Sequence, residues 1–406
     1  MNMKMSVPSR SKTTLDFVDG DLLVGRGAVI NGTGMPPTVK ASGTAYCEGD
    51  NTFECNLSAE NLEAKDNVTI HGDLQVENNV EVEDGYLEVY GKMTARHVDI
   101  DEVLYVNKEL VAEKVDVCGS LKVDGNVKAG DIDVCGSFKA KGEVTTEKID
   151  VGGSVSIESR ANITKLDVGG AAKVCGGRIQ EINVGGSFES TSPLEFERIE
   201  VGGAVRLANK SKGRKIEVGG SFRVDGDLEF EEIDVGGKVE IAGSGEGGKI
   251  DVGGKVEVGR SLKLSGNLDV GGKVEVGSEG SAKNIEVSGV FRSGKATAEE
   301  RVEVGGSIIT IEGVTARFIE IGRRGEVRGP IKADEVIIGK EARAESIYGK
   351  RILLRSEAHA LNIYGESITI ESYCQVSGEI LYTNELRVNE HVSLAKTPQK
   401  VDKLPL

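Results

Sequence analysis

Tryptophan is absent from this 406-residue chain, aromatic residues make up only 4% of it, and it has four histidines and six cysteines. Each shortage closes off a class of protein. A globular chain of this length ordinarily divides into two or three domains with aromatic-rich cores. Here the apolar residues are Val, Ile, Leu and Ala, spread evenly, which suits a thin core filled by small layers. Six cysteines do not make a disulfide scaffold in so long a chain, so a reducing, cytoplasmic setting is expected. No apolar run approaches the roughly 20 residues of a helical membrane span, and no signal peptide is visible. Basic residues are outnumbered, 50 Lys and Arg against 66 Asp and Glu, and the resulting charge of −16 argues for solubility and against general nucleic-acid binding.

Glycine is abundant, with 55 residues, and much of it sits in one recurring phrase. Val115-Asp-Val-Cys-Gly-Ser, Ile149-Asp-Val-Gly-Gly-Ser, Ile199-Glu-Val-Gly-Gly-Ala, Ile250-Asp-Val-Gly-Gly-Lys and Val302-Glu-Val-Gly-Gly-Ser are versions of it. Its first residues fall at 115, 132, 149, 166, 182, 199, 216, 233, 250, 268, 285 and 302, steps of about 17, the mark of stacked repeat units. Between these phrases run apolar-polar-apolar triplets such as Leu121-Lys-Val123 and Val127-Lys-Ala129. Each triplet reads as a short strand with two side chains in and one out. Polar or Gly-rich corners separate the triplets, and three sides close one triangular coil. The pattern is strict from Leu62 to Leu394, roughly 19 to 20 coils, which at ~4.8 Å per coil predicts a rod about 90–100 Å long. Lys210-Ser-Lys-Gly-Arg-Lys215 and Gly243-Ser-Gly-Glu-Gly-Gly248 offer no inward apolar pair and read as loose third sides. Helices are excluded by the missing 3.6-residue period and the glycine content. An antiparallel sandwich would need longer strands and hairpin turns at longer intervals. The fold expected is all-β: a single-stranded parallel β-helix, or triangular solenoid.

The ends are less regular. Residues 1–20 are expected to be a disordered tail with at most weak membrane-surface affinity. Residues 21–61, interrupted by Pro36-Pro37, are expected to be irregular first coils or an N-terminal cap. Residues 62–394 are assigned to the β-helix and 395–406 to a short C-terminal tail.

The coil of about 17 residues, the Val/Ile triplets and the Val-Gly-Gly-Ser/Lys-Val-x-Val cadence over residues 62–394 resemble the bactofilins. These are polymer-forming cytoskeletal proteins of bacteria, with archaeal relatives. The resemblance, to an elongated member, implies a right-handed triangular β-helix that joins end to end into filaments without nucleotide. The residues themselves do not fix the hand. Left-handed hexapeptide helices prefer about 18 residues per coil, and the period here speaks mildly against them.

Candidate sites follow from the stacking. Gly119, Gly136, Gly153, Gly170, Gly186, Gly203, Gly220, Gly237, Gly254, Gly272, Gly289 and Gly306 recur at one corner and are read as structural glycines for positive-φ turns. A phosphate cradle would need a helix N-terminus or a Walker lysine, and neither is present. The outward residues of the first side form an acidic ladder: Asp116, Asp133, Asp150, Asp167, Glu200, Glu217, Asp234, Asp251, Asp269, Glu286, Glu303 and Glu320, broken at Asn183. Like charges ~4.8 Å apart repel. Lys114, Lys148, Lys165, Arg198, Lys215, Lys249 and Arg301 each precede a ladder acid by two residues and are expected to relieve it. The ladder is also a candidate surface for divalent cations or a basic partner. Cys118 and Cys135 lie one coil apart at one corner, within disulfide range, and are expected to be small reduced corner residues. Cys47, Cys55, Cys175 and Cys374 lack metal-ligand spacing. His71, His97, His359 and His391 fall on separate coils.

No catalytic constellation, cofactor or metal site is therefore expected, and the corners are too short to build an enzyme's cleft. The final triplets, Leu386–Val388 and Val392–Leu394, would leave an open layer, so Leu386, Val388, Val392 and Leu394 are the expected self-association surface. Charge is uneven along the chain. Glu48 to Glu113 is strongly acidic and Arg317 to Arg355 basic, which favours salt-sensitive assembly. The function expected is a non-enzymatic, self-assembling structural rod. The alternative is a capped monomeric or dimeric spacer that docks protein partners. A β-helix enzyme on carbohydrate or acyl groups ranks third.

Overall fold

The computed structural model describes residues 4–405, and every regular element in them is a β-strand. The chain divides into two compact units, residues 1–202 and 203–406. Each is a parallel β-solenoid with three strands per coil, and the chain makes about 23 turns in all. Register follows the sequence repeat directly. In the first unit Leu121 pairs with Phe138, and Ile132 with Ile149. In the second, Val239 pairs with Val256, and Ile250 with Leu268. Among the described residues the strand pairings between coils are parallel, because each strand meets its own counterpart one coil on.

The alternation expected of the triplets is what the strands show. Lys114–Val117 and Ser120–Val123 bury their second and fourth residues and turn the third outward. Each buried Val, Leu or Ile contributes about 1.5–3 kcal/mol relative to exposure, so two per strand give a coil a continuous dry interior. Several strands run through a corner without a break, as in Ser154–Val168 and Val290–Val304.

The corner glycines are present for a reason other than the one expected. Among the described residues the positive-φ glycines are Gly20, Gly27, Gly34, Gly49, Gly176, Gly177, Gly313 and Gly329. Gly119, Gly136, Gly153 and the other corner glycines are not among them. Close approach is the cause. A Cβ added at Gly153 would lie 2.4 Å from the carbonyl oxygen of Gly136, and one at Gly237 would lie 2.3 Å from that of Gly220. The corner stacks backbone on backbone, with the Gly153 N–H donating to the Gly136 carbonyl at 3.0 Å. Left-handed corners do occur, but Arg324, Glu341, Glu357, Tyr373 and His391 occupy them in the last coils.

The ends correct the sequence reading. Lys4–Val7 and Lys12–Leu15 are strands paired in parallel with Asp21–Val24 and Val29–Gly32, so residues 4–18 form a coil where a disordered tail was expected. Met1–Met3 lie outside the described residues. Ser, Thr and Lys dilute the apolar pattern here, yet Val7, Leu15 and Val18 are buried. Residues 21–61 are coils as well. Their irregularity is one long insertion: Val24 pairs with Cys47, and the extra chain forms a protruding loop around the cis Met35–Pro36 bond with Met35 fully exposed. At the other end Gln399–Lys400 pairs with Leu381 and Tyr382, so part of the expected C-terminal tail is a strand.

The loose third sides are filled from their neighbours. Ser211 and Gly213 face inward and are buried. At Gly245 and Gly247 the space is taken by surrounding side chains: a Cβ on Gly247 would fall 2.5 Å from the Phe230 ring of the preceding coil, and one on Gly245 3.1 Å from both Ile241 of its own coil and Leu262 of the next.

Candidate interaction surfaces

Stacking places the outward residue of every strand directly over its counterpart, so the surface consists of columns one residue wide. On the first side of the first unit the acidic column is compensated as expected. Lys114 reaches Asp116 at 2.6 Å, Lys148 reaches Asp150 at 3.2 Å, Lys165 reaches Asp167 at 2.8 Å, and Arg198 reaches Glu200 at 2.9 Å. In the second unit Lys215 pairs with Glu217 and Arg301 with Glu303. Lys249 is the exception, since it turns to Glu232 at 3.1 Å instead of Asp251. Asp269 and Glu286 are preceded by Asn267 and Asn284 in place of bases. Burial, together with Glu286 and Asp251, pushes the Asp269 carboxyl above its ordinary range.

A second charged surface was not singled out from the sequence. On the second side of the second unit Lys238, Lys255 and Lys273 stack in one column and Glu240, Glu257 and Glu275 in the next. Lys238 and Lys255 each serve their own coil and the following one, and Lys273 serves its own. Lys238 contacts Glu240 and Glu257, Lys255 contacts Glu257 and Glu275, and Lys273 contacts Glu275. Arg223 closes one end on Glu240 at 2.9 Å, and Arg292 approaches Glu275 at 3.6 Å at the other. Hydrogen bonds from Lys273 and Lys255 hold Glu275 down to about 2, and those from Lys238 and Lys255 lower Glu257. The signal was legible as Lys-Val-Glu following Gly-Gly at 238, 255 and 273.

These shifts set a pH dependence. A carboxylate whose folded pKa lies below its unfolded value of 4.5 stabilises the fold above that value, and the contribution disappears as pH falls toward about 2. Glu275→Gln is therefore expected to lower the melting temperature at neutral pH and to make no difference near pH 2. The pairs are partly solvated, so the neutral-pH gap should shrink in about 1 M salt. Thermal unfolding followed by circular dichroism at both pH values measures it.

Near the start of the first unit, a cleft of about 490 Å³ lies on the first side. Leu23 and Tyr46 form its apolar part, and Glu63, Glu81 and Glu83 its acidic part. Burial and the neighbouring Glu81 and Glu83 raise Glu63.

The last coil differs from the one before it. Val388 is 41% exposed, whereas Ile370, its partner one coil earlier, is 0% exposed. Leu386, Val392 and Leu394 are only half-buried, although Ile368, Cys374 and Val376 in the same columns are fully covered. Among the described residues, Glu385–Val388 and Ser393–Leu394 have a partner strand on one side only.

The structure keeps the histidines apart. His71 stacks on Tyr90 and His391 on Tyr373, while His97 contacts Asn79 at 3.2 Å and His359 pairs with Arg343 and Gln375. Cys47, Cys55 and Cys374 are buried, and burial pushes the Cys47 thiol up to about 12. Among the described residues no group of three or more His, Cys, Asp or Glu is arranged to hold a metal ion, and no helix is long and apolar enough to cross a membrane. No family model, curated protein or solved structure matches this chain.

Proposed function

We propose that this protein is a non-enzymatic structural scaffold that associates with itself through its C-terminal coil. The single observation that carries the reading is the exposure of that coil: Leu386, Val388, Val392 and Leu394 are open, whereas their counterparts one coil earlier, Ile368, Ile370, Cys374 and Val376, are covered. Two strand edges next to them have unpaired backbone groups, and an apolar layer beside an open edge is a template for another chain. The β-solenoid suits such a role, since it offers long columns of charge. The resemblance of residues 62–394 to the bactofilins belongs to this reading, and with it assembly into cytoskeletal filaments within the cytoplasm.

Negative-stain electron microscopy of the purified chain, at about 50 mM and about 500 mM salt, tests it. Extended assemblies are expected at low salt. Fewer are expected at high salt if the acidic segment Glu48–Glu113 and the basic segment Arg317–Arg355 help bring copies together. Single particles at every concentration and both salt levels would refute self-association and leave the docking spacer as the reading.

A further inference from the structure

Two of the six cysteines are exposed, Cys118 and Cys135, and the fold sets them on adjacent coils in the first unit. Their flanks are held in strict register. Val117 pairs with Val134 and Ser120 with Ser137. The rungs through the corner are intact: Cys118 N–H donates to Ile100, Cys135 N–H to Val117 and Gly136 N–H to Gly119, each at 3.0 Å. Successive coils stand ~4.8 Å apart, inside the Cα separation a disulfide spans. Side chains of the two coils do meet at this corner, since the Ser137 hydroxyl donates to that of Ser120 at 3.2 Å. On the far side of Cys135 the same corner position is Gly152, which carries no side chain, and on the far side of Cys118 it is Asp101. The pair is therefore isolated, with each thiol the other's nearest sulfur partner.

We infer that Cys118 and Cys135 form a dithiol that closes to a disulfide between coils by exchange with a low-molecular-weight disulfide such as oxidised glutathione. In the first step one thiolate attacks a sulfur of the small disulfide. A mixed disulfide forms and one glutathione thiolate leaves. In the second step the other cysteine, deprotonated, attacks the protein-bound sulfur and expels the second glutathione. Two protein thiols are oxidised, one small disulfide is reduced to two thiols, and the two protons end on glutathione. The corner is already stacked, so ring closure needs rotation of side chains and no movement of strands. Cys135, burial, and the nearby Asp101 and Asp99 all hold the Cys118 thiol above its ordinary value. Exchange thus accelerates as pH rises and the thiolate fraction grows.

The test uses the full chain, oxidised glutathione at mildly alkaline pH, and intact-mass spectrometry with peptide mapping. The wild type is expected to lose two hydrogen atoms and to yield one cross-linked peptide pair joining Cys118 to Cys135, with no persistent glutathione adduct. Cys118→Ser and Cys135→Ser should instead each accumulate a stable mixed disulfide at the remaining cysteine. Serine fits the position, since Ser288 occupies the same corner in a later coil. Stable glutathione adducts at both cysteines of the wild type, a disulfide between chains, or no reaction at either residue would each overturn the inference.

Discussion

Val388→Arg combined with Val392→Arg is expected to convert the assembled protein to single chains at every concentration examined by light scattering. Both positions belong to the coil whose inward layer is open. Val388 is 41% exposed and Val392 half-buried, so arginines there reach solvent in the free chain and cost little folding stability. Between copies the situation reverses. Two guanidinium groups buried at an apolar contact lose hydration, and each effectively costs several kcal/mol without an opposing charge. Across a contact of ordinary size such a penalty removes measurable association. Ile311→Arg provides the control. Ile311 is an exposed apolar residue, at 85%, far from the last coil in sequence, and charging it should leave assembly unchanged. An unaltered particle distribution in the double variant would place the contact elsewhere. Loss of assembly in both variants would point to a general effect of added positive charge.

How much of this was legible beforehand depends on how strictly each feature follows the repeat. The apolar alternation and the period are carried by every coil, so the parallel solenoid, its strand register and the compensated acidic column could be read from residues such as Lys114 and Asp116. The open layer at Leu386 and Val388 was legible for the same reason. The function of the corner glycines was misread because a sequence shows that only glycine fits without showing why. Positive φ and close backbone approach leave the same residue, and the carbonyl of Gly136 lying under Gly153 is visible only after coils are stacked. The first coil was missed because inward Thr13 and outward Lys and Ser blur the alternation, although burial of Val7 and Leu15 requires only every second residue. The lysine–glutamate columns are not legible from one coil at a time, because Lys238 and Lys255 derive their effect from bridging to the next coil.

The loose third sides give the other large expected effect. Phe230→Ala should destabilise the second unit by about 3–5 kcal/mol, the usual cost of truncating a buried Phe. The Phe230 ring is almost wholly buried and lies against the empty inward positions of Gly247 and Gly245, with which it alternates along the column: Leu228 and Phe230 in one coil, Gly245 and Gly247 in the next, Leu262 and Leu264 after them. Large and small layers interlock here, so neither coil satisfies the triplet rule alone while the pair together fills the core. The interlock makes a sharper prediction than truncation alone. Gly247→Ala should destabilise the wild type, because its Cβ would sit 2.5 Å from the Phe230 ring. In the Phe230→Ala background that clash is gone and the added methyl group occupies part of the cavity, so the same substitution should become neutral or stabilising. The double-mutant cycle, measured by chemical denaturation, should show a coupling energy in the range of about 0.5–3 kcal/mol seen for residues in contact. Strict additivity would mean that the ring does not fill the glycine coil, and that the coil at 245–247 is held by its backbone hydrogen bonds alone.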